Sequence, residues 1–94
     1  MTVKSLAESL QELFTELGHA KKIKQVEILQ KWPEIVGAQI SAITIAEQIR
    51  DDVLYVRVKS MTWKSELVLR KQELLSRIAE SVGKNILSDI RFTI

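Results

Sequence analysis

Basic side chains and one aromatic ring recur at alternate positions in the second half of the sequence. One strand-like run alternates apolar residues with Tyr55, Arg57 and Lys59, and Arg50 and Arg91 hold corresponding places in two neighbouring runs. Alternate side chains of a β-strand point to opposite faces of a sheet, so this polar set shares one face. Cations beside a ring on which bases can stack are typical of surfaces that bind nucleic acid without reading its sequence. We therefore predict a nucleic-acid-binding surface at these five residues, while a merely solvated sheet face is the alternative.

Two further sets of lysines are candidates for phosphate contact. Lys21, Lys22 and Lys24 form the densest positive run, in a predicted loop before a helix whose N-terminal dipole also favours anions. A solvated loop is the alternative. Lys64 and Lys71 fall within the apolar arc of a later predicted helix. Either their stems lie in a seam between the sheet and the N-terminal helix while the ammonium groups reach solvent, or they belong to a partner or phosphate site.

Residues for catalysis or metal binding are scarce in the sequence. His19 is the single histidine, and there is no cysteine that could complete a metal site with it. Asp51 and Asp52 are accounted for by a predicted turn. Neither a nucleotide-binding G-x-x-x-x-G-K-[ST] loop nor a G-x-S-x-G elbow occurs. We therefore predict a protein that is not an enzyme and that uses no cofactor and no metal.

The composition indicates one small globular domain. The 94 residues are 46% apolar, carry a formal net charge of +2 and include no cysteine. Such a chain supports a single core, and its mild positive charge requires any nucleic-acid site to be a local patch. No run approaches the roughly 20 apolar residues of a membrane span, and the N-terminus lacks the apolar block of a secretory signal. These features predict a cytoplasmic protein with no membrane partner.

The N-terminal segment has the pattern of an amphipathic helix. Ser5 and Glu8 have the spacing of a capping box, and Gly18 is placed as a C-terminal stop. The apolar stripe of this helix comprises Leu6, Leu10, Leu13, Phe14 and Leu17. The stripe is consistent with a helix that packs on its own domain and with one that docks another protein.

Two more helical segments are predicted around the tryptophans. A second helical pattern ends near Trp32, and a short helical segment is expected from Pro33, because proline removes a donor but suits the first turn of a helix. A third helix is predicted over residues 61–82 and is closed by Gly83, with Trp63 in its first turn. Both indoles are expected to be largely buried where the helices meet the sheet.

Three segments alternate with the period of β-strands, near residues 43–49, 53–59 and 89–94. The first two form a hairpin, and the last, reached through a helical crossover, is expected to pair parallel to the second. The resulting order, α-α-β-β-α-β, predicts an α+β fold with helices on one face of a three-stranded mixed sheet. With the isoleucines and valines turned towards the helices, the opposite face collects Thr44, Gln48, Arg50, Tyr55, Arg57, Lys59, Arg91 and Thr93.

Three motifs give the sequence a resemblance to a known family. W-x-x-I-V-G occupies residues 32–37, L-x-V-x-V-x-S-x-x-W-x-x-E-L occupies 54–67 and I-R-F occupies 90–92. With these motifs the stretch from 23 to 94 resembles the DciA family, bacterial proteins associated with the replicative helicase DnaB and long catalogued as a domain of unknown function. The resemblance implies a KH-like domain that binds DNA and a role in recruiting or loading that helicase. The G-x-x-G loop by which KH domains hold a nucleic-acid backbone does not occur in the sequence.

The leading hypothesis is a single domain over residues 1–94, in which residues 1–20 form an N-terminal helix outside the stretch that carries the resemblance. It acts as a non-enzymatic adaptor that binds single-stranded or duplex DNA independently of sequence and assists loading of DnaB. One alternative is a KH-like RNA-binding protein in translation or RNA handling. Another is a small interaction scaffold whose N-terminal helix forms a homodimer or docks a protein.

Overall fold

A computed structural model describes residues 6–94, with the backbone alone at positions 7, 11, 12 and 14–17. The predicted capping box includes Ser5 and so lies outside the described residues. The elements follow one another as α1 (Leu6–Gln30), α2 (Trp32–Val36), α3 (Ala38–Ser41), β1 (Thr44–Arg50), β2 (Val53–Val58), α4 (Met61–Leu69), α5 (Lys71–Val82) and β3 (Asp89–Thr93). This order confirms the predicted α+β class and is consistent with a KH-like fold.

The three strands form one mixed sheet in the order β1-β2-β3. β1 and β2 pair antiparallel as a hairpin, and β3 runs parallel to β2 after the crossover through α4 and α5, as predicted. The helices pack on one face of the sheet, and we call the other face, which is uncovered among the described elements, the open face. The core between helices and sheet comprises Ile28, Trp32, Val36, Ile40, Leu54, Val56, Val58, Leu67, Leu74, Ile78, Val82, Ile90 and Phe92.

The hairpin turn also anchors α1. Asp51 and Asp52 have φ values of 52° and 63°, the left-handed pair that a two-residue type I′ turn requires and that aspartate tolerates. Lys21 and Gln25 of α1 donate to the two carboxylate oxygens of Asp52 at 2.6 and 2.8 Å. The backbone N–H of Ser88 donates to the Asp52 carbonyl at 2.8 Å. One turn therefore ties together α1, the hairpin and the segment that leads into β3.

α1 is one continuous helix, so the predicted division into two helices joined by a basic loop is wrong. The helix passes through Gly18 and includes Lys21, Lys22 and Lys24. A glycine inside a helix costs only about 1 kcal/mol relative to alanine. After Gly18, side chains of α1 form hydrogen bonds to the hairpin turn, and Ile28 is buried in the core. These contacts favour a continued helix over a loop.

The first half of β1 has the opposite phase to the one predicted. Thr44 is buried and Ile45 is 60% exposed, so Thr44 faces the helices and Ile45 takes its place on the open face. The register with β2 shifts between Ala46 and Gln48, which leaves Glu47 as the extra residue of a β-bulge. Beyond the bulge the strand follows the predicted phase. Strict alternation in the predicted phase would have turned the charged Glu47 towards the core. This conflict is the sequence signal for the bulge.

Thr44 is buried because its hydroxyl completes two hydrogen bonds. It accepts from the indole Nε1 of Trp32 at 2.9 Å and donates to the carbonyl of Ile40 at 2.7 Å. A buried donor that loses its acceptor lowers the free energy of unfolding far more than an exposed donor does, because water cannot replace the missing acceptor. A polar residue therefore occupies a core position that its strand period alone would assign to an apolar one.

Thr44→Val is expected to lower the free energy of unfolding by roughly 1 to 3 kcal/mol, because it keeps the β-branched shape but leaves the Trp32 indole N–H buried and unpaired. Urea denaturation followed by tryptophan fluorescence measures the change. Thr93→Val, at an exposed position of β3, is the matched control and is expected to stay within about 0.5 kcal/mol of the original protein. Equal stabilities of the two variants would contradict the role assigned to Thr44.

The two tryptophans differ in burial. Trp32 is 4% exposed, which confirms its predicted place in the core. Trp63 packs against the core but is only half-buried, so its predicted position is right and its predicted burial is too high. It lies in the first turn of α4, where its backbone N–H donates to the Ser60 hydroxyl at 3.2 Å as an N-cap.

The predicted helix over residues 61–82 is divided into α4 and α5. Arg70, between them, has φ −97° and ψ 10°, and its N–H donates to the Leu67 carbonyl in a tightened last turn. Neither glycine nor proline marks this division. Pro33 in the first turn of α2 and Gly83 at the end of α5, with φ 112°, occupy their predicted places.

Candidate nucleic-acid interface

The open face is organised in rows that cross all three strands. Backbone pairing puts one residue of each strand in register, so neighbours in a row are close enough for their side chains to interact. The rows are Ile45–Arg57–Thr93, Gln48–Tyr55–Arg91 and Arg50–Val53–Asp89. Lys59 follows the buried Val58 at the end of β2, and its backbone N–H still pairs with the Ile43 carbonyl at 3.0 Å. The structure thus brings four of the five residues singled out in the sequence to one face, and Lys59 is exposed just beyond the end of β2. The four are Arg50, Tyr55, Arg57 and Arg91.

Tyr55 lies at the centre of this face with a cation beside its ring. The guanidinium carbon of Arg50 lies 5.5 Å from the ring centroid, within the range of a cation–π contact. Arg91 and Gln48 flank the same ring in register. A ring held between cations can stack on a base while the cations contact phosphates, so this row has the composition of a single-strand binding platform.

Arg57 is the cation of the open face that is already paired. Its Nε and Nη2 donate to the two carboxylate oxygens of Glu47 at 3.1 and 2.6 Å, a two-point contact. Glu47 lies at the bulge and follows Ala46, which faces the helices, so its side chain is on the open face. Strand periodicity placed few carboxylates on this face and did not predict this pair.

The other cations of the open face form no salt bridge with a described carboxylate, although Arg91 is close enough to Asp89 to help lower the pKa of that carboxyl. Lys59 and Arg91 are exposed, and Arg50 contacts only the tyrosine ring. An exposed cation without an internal ion pair remains able to attract a phosphate. These three side chains are therefore the candidate anion-binding groups of the open face.

The α1 lysines lie apart from the open face. Lys21 is held against the hairpin turn by Asp52 at 2.6 Å, and this hydrogen bond, with a second from Gln25, lowers the pKa of the Asp52 carboxyl. Lys24 approaches Glu27 on its own helix at 3.6 Å. Lys22 is exposed and has no ion pair with any side chain that the structure describes. Only Lys22 of this set remains fully available to a phosphate.

Lys64 and Lys71 are both half-buried but differ in their contacts. Lys71 pairs with Asp89 at the start of β3, with Nζ 3.1 Å from Oδ1. Hydrogen bonds from Lys71 and from the Ile90 backbone N–H lower the pKa of the Asp89 carboxyl. Lys64 has no ion pair with any described residue. Lys71 therefore fastens α5 to β3, which is a different contact from the predicted seam with the N-terminal helix.

Over the part of the chain that the structure describes, no three His, Cys, Asp or Glu side chains gather in a way that could hold a metal ion. None of the helices among the described residues combines the length and the apolar character needed to cross a membrane.

The sequence matches the family model described as Dna[CI] antecedent, DciA, over residues 5–92, which includes α1. It is similar to a UPF0232 protein of Corynebacterium glutamicum (strain R), with 33% identity over 87 residues that make up 93% of this chain and 49% of that protein. It is also similar to a UPF0232 protein of Rhodococcus jostii (strain RHA1), with 29% identity over 76 residues, or 81% of this chain and 40% of that protein.

A UPF0232 protein of Mycobacterium tuberculosis (strain H37Rv) shares 27% identity over 88 residues, which are 94% of this chain and 47% of that protein. The chain thus spans about half the length of the curated relatives it matches or somewhat less. The family model, in contrast, extends over nearly all of the present sequence. On this match, together with the three motifs and the α+β fold that carries them, the chain belongs to the DciA family.

Proposed function

We propose that this chain is a non-enzymatic, nucleic-acid-binding adaptor that helps to recruit or load the bacterial replicative helicase DnaB on DNA. The observation that carries the nucleic-acid part is the open face, where Arg50 and Arg91 lie beside Tyr55, Lys59 follows the end of β2, and none of the three cations forms a salt bridge with a described residue. Family membership supports the link to the helicase. The absence of a G-x-x-G loop from the sequence favours the sheet over a loop as the surface that meets nucleic acid.

Binding at the open face is expected to be electrostatic and independent of sequence. Each phosphate contact with a single strand releases counterions and adds about −0.7 to the slope of log affinity against log salt. Arg57 is already paired with Glu47, so we count three phosphate contacts, one for each cation without a salt bridge. The expected slope of log affinity against log salt is then roughly −2. Stacking on Tyr55 adds affinity for any base, since every base has a π-face.

The first half of α1 is the surface proposed for the helicase. Leu6, Leu10 and Leu13 are 77%, 45% and 48% exposed and follow one helical stripe. The radius of gyration is 16.7 Å, against about 12 Å for a compact domain of this length. The long helix and the large radius indicate that α1 extends beyond the core, with an apolar stripe that is available to another protein.

A single binding comparison tests the proposal. Fluorescence anisotropy with single-stranded DNA, duplex DNA and RNA of matched length measures the nucleic-acid preference, and a pull-down with purified DnaB measures the protein contact. DNA binding that weakens with salt, together with helicase capture, is the expected result. A clear preference for RNA without helicase capture would favour RNA handling instead. Binding to neither nucleic acid would remove the open face as a functional site.

A further inference from the structure

One carboxylate lies among the cations of the open face at the β1 bulge. Because Thr44 and Ala46 face the helices, alternation turns Glu47 to the open face, and the register shift after Ala46 turns Gln48 to the same face. There Glu47 accepts two hydrogen bonds from Arg57. The residue at the bulge therefore changes the charge of the candidate binding surface.

The contact with Glu47 occupies one of the two donor edges by which Arg57 could bind a phosphate. Arginine holds carboxylates and phosphates through the same fork of parallel N–H donors, and here Nε and Nη2 are both engaged. A phosphate that takes this edge must displace Glu47, and one that binds the free Nη1 edge lies near the Glu47 carboxylate, which repels it. The side chains of Arg57 and Glu47 are 56% and 34% exposed, so neither is locked in place by burial and the exchange can occur.

We infer that Glu47 competes with phosphate for Arg57 and thereby limits the affinity of the open face for nucleic acid. The inference rests on the proposed function, since it concerns the same surface. Arg50, Lys59 and Arg91 are the main phosphate contacts, and Arg57 contributes less as long as Glu47 is paired with it. A weak hold on DNA suits an adaptor that must pass the strand to another protein.

Glu47→Gln tests this competition, because it keeps the side-chain shape and removes the charge. Affinity for a single-stranded DNA homopolymer at low salt is expected to rise roughly three- to tenfold, and the salt slope to steepen by about 0.7, the value for one added phosphate contact. Anisotropy titrations between roughly 50 and 200 mM salt provide both quantities. Adding Arg57→Gln to this variant is expected to abolish the gain, which shows that the effect acts through Arg57.

Glu66→Gln is the matched control. Glu66 pairs with Arg70 at 3.0 Å on α4, on the helix side of the sheet, so this variant makes the same charge change away from the open face. Equal gains in Glu47→Gln and Glu66→Gln would overturn the inference, because net charge alone would then explain them. Weaker binding by Glu47→Gln would also overturn it. If the original protein binds and Glu47→Gln brings no gain, only the inference fails; if neither binds, the proposed function fails with it.

Discussion

Replacing Lys59 and Arg91 together with alanine is expected to lower the affinity for single-stranded DNA roughly tenfold at low salt and to flatten the salt slope by about 1.4, the sum for two phosphate contacts. These two residues are the informative choice because they are exposed and have no ion pair with the described residues, whereas Arg57 is engaged by Glu47. Since neither side chain packs in the core, the thermal midpoint is expected to stay unchanged. Anisotropy titrations at several salt concentrations measure the slope.

The control for this pair is the double variant Lys31→Ala and Lys84→Ala. Both lysines are exposed, one between α1 and α2 and the other just after α5, so the net charge falls by the same amount without a change on the open face. This variant is expected to retain most of the affinity and slope. An equal loss in both double variants would mean that binding depends on overall charge, and the open face would then no longer be the site.

The periodicity of the sequence was sufficient to predict the arrangement of the open face on β2 and β3. In β2 the alternation of Leu54, Val56 and Val58 with Tyr55 and Arg57 agrees with the observed burial throughout. β2 and β3 pair with each other without a register shift, so the period of two holds along the whole of this pairing. The same regularity explains why the parallel pairing and the helix-covered face could be predicted without a structure.

The features that the sequence did not predict depend on contacts between distant segments. The bulge at Glu47 depends on the pairing of β1 with β2, and the buried position of Thr44 depends on an acceptor needed by Trp32. The continuity of α1 through Gly18 is favoured by the contact of Lys21 with the hairpin turn, thirty-one residues further on. Local propensity cannot report such contacts, since they exist only when the fold has formed.

Replacing Leu6, Leu10 and Leu13 with serine is expected to weaken capture by DnaB at least a hundredfold while leaving the fold and DNA binding unchanged. Burying a leucine side chain in an interface contributes about 1.5 to 3 kcal/mol, so three together dominate a contact of modest size. The domain is expected to tolerate the change because all three leucines are exposed and Lys21 and Gln25, further along α1, hold the helix to the hairpin turn. A DnaB pull-down, a thermal melt and an anisotropy titration measure the three properties.

Leu69→Ser is the control for this variant, because Leu69 on α4 is 83% exposed and lies outside the stripe.

Deletion of residues 1–20 is the complementary test. The hydrogen bonds of Lys21 and Gln25 to Asp52 remain, so the truncated domain is expected to stay folded and to bind DNA but to lose its contact with DnaB. If the truncated chain unfolds, the first half of α1 belongs to the core of the fold. If capture of DnaB survives both changes, the helicase contact lies elsewhere. If both changes leave capture intact but turn a dimer into a monomer in analytical ultracentrifugation, the stripe is the contact between two copies of this chain.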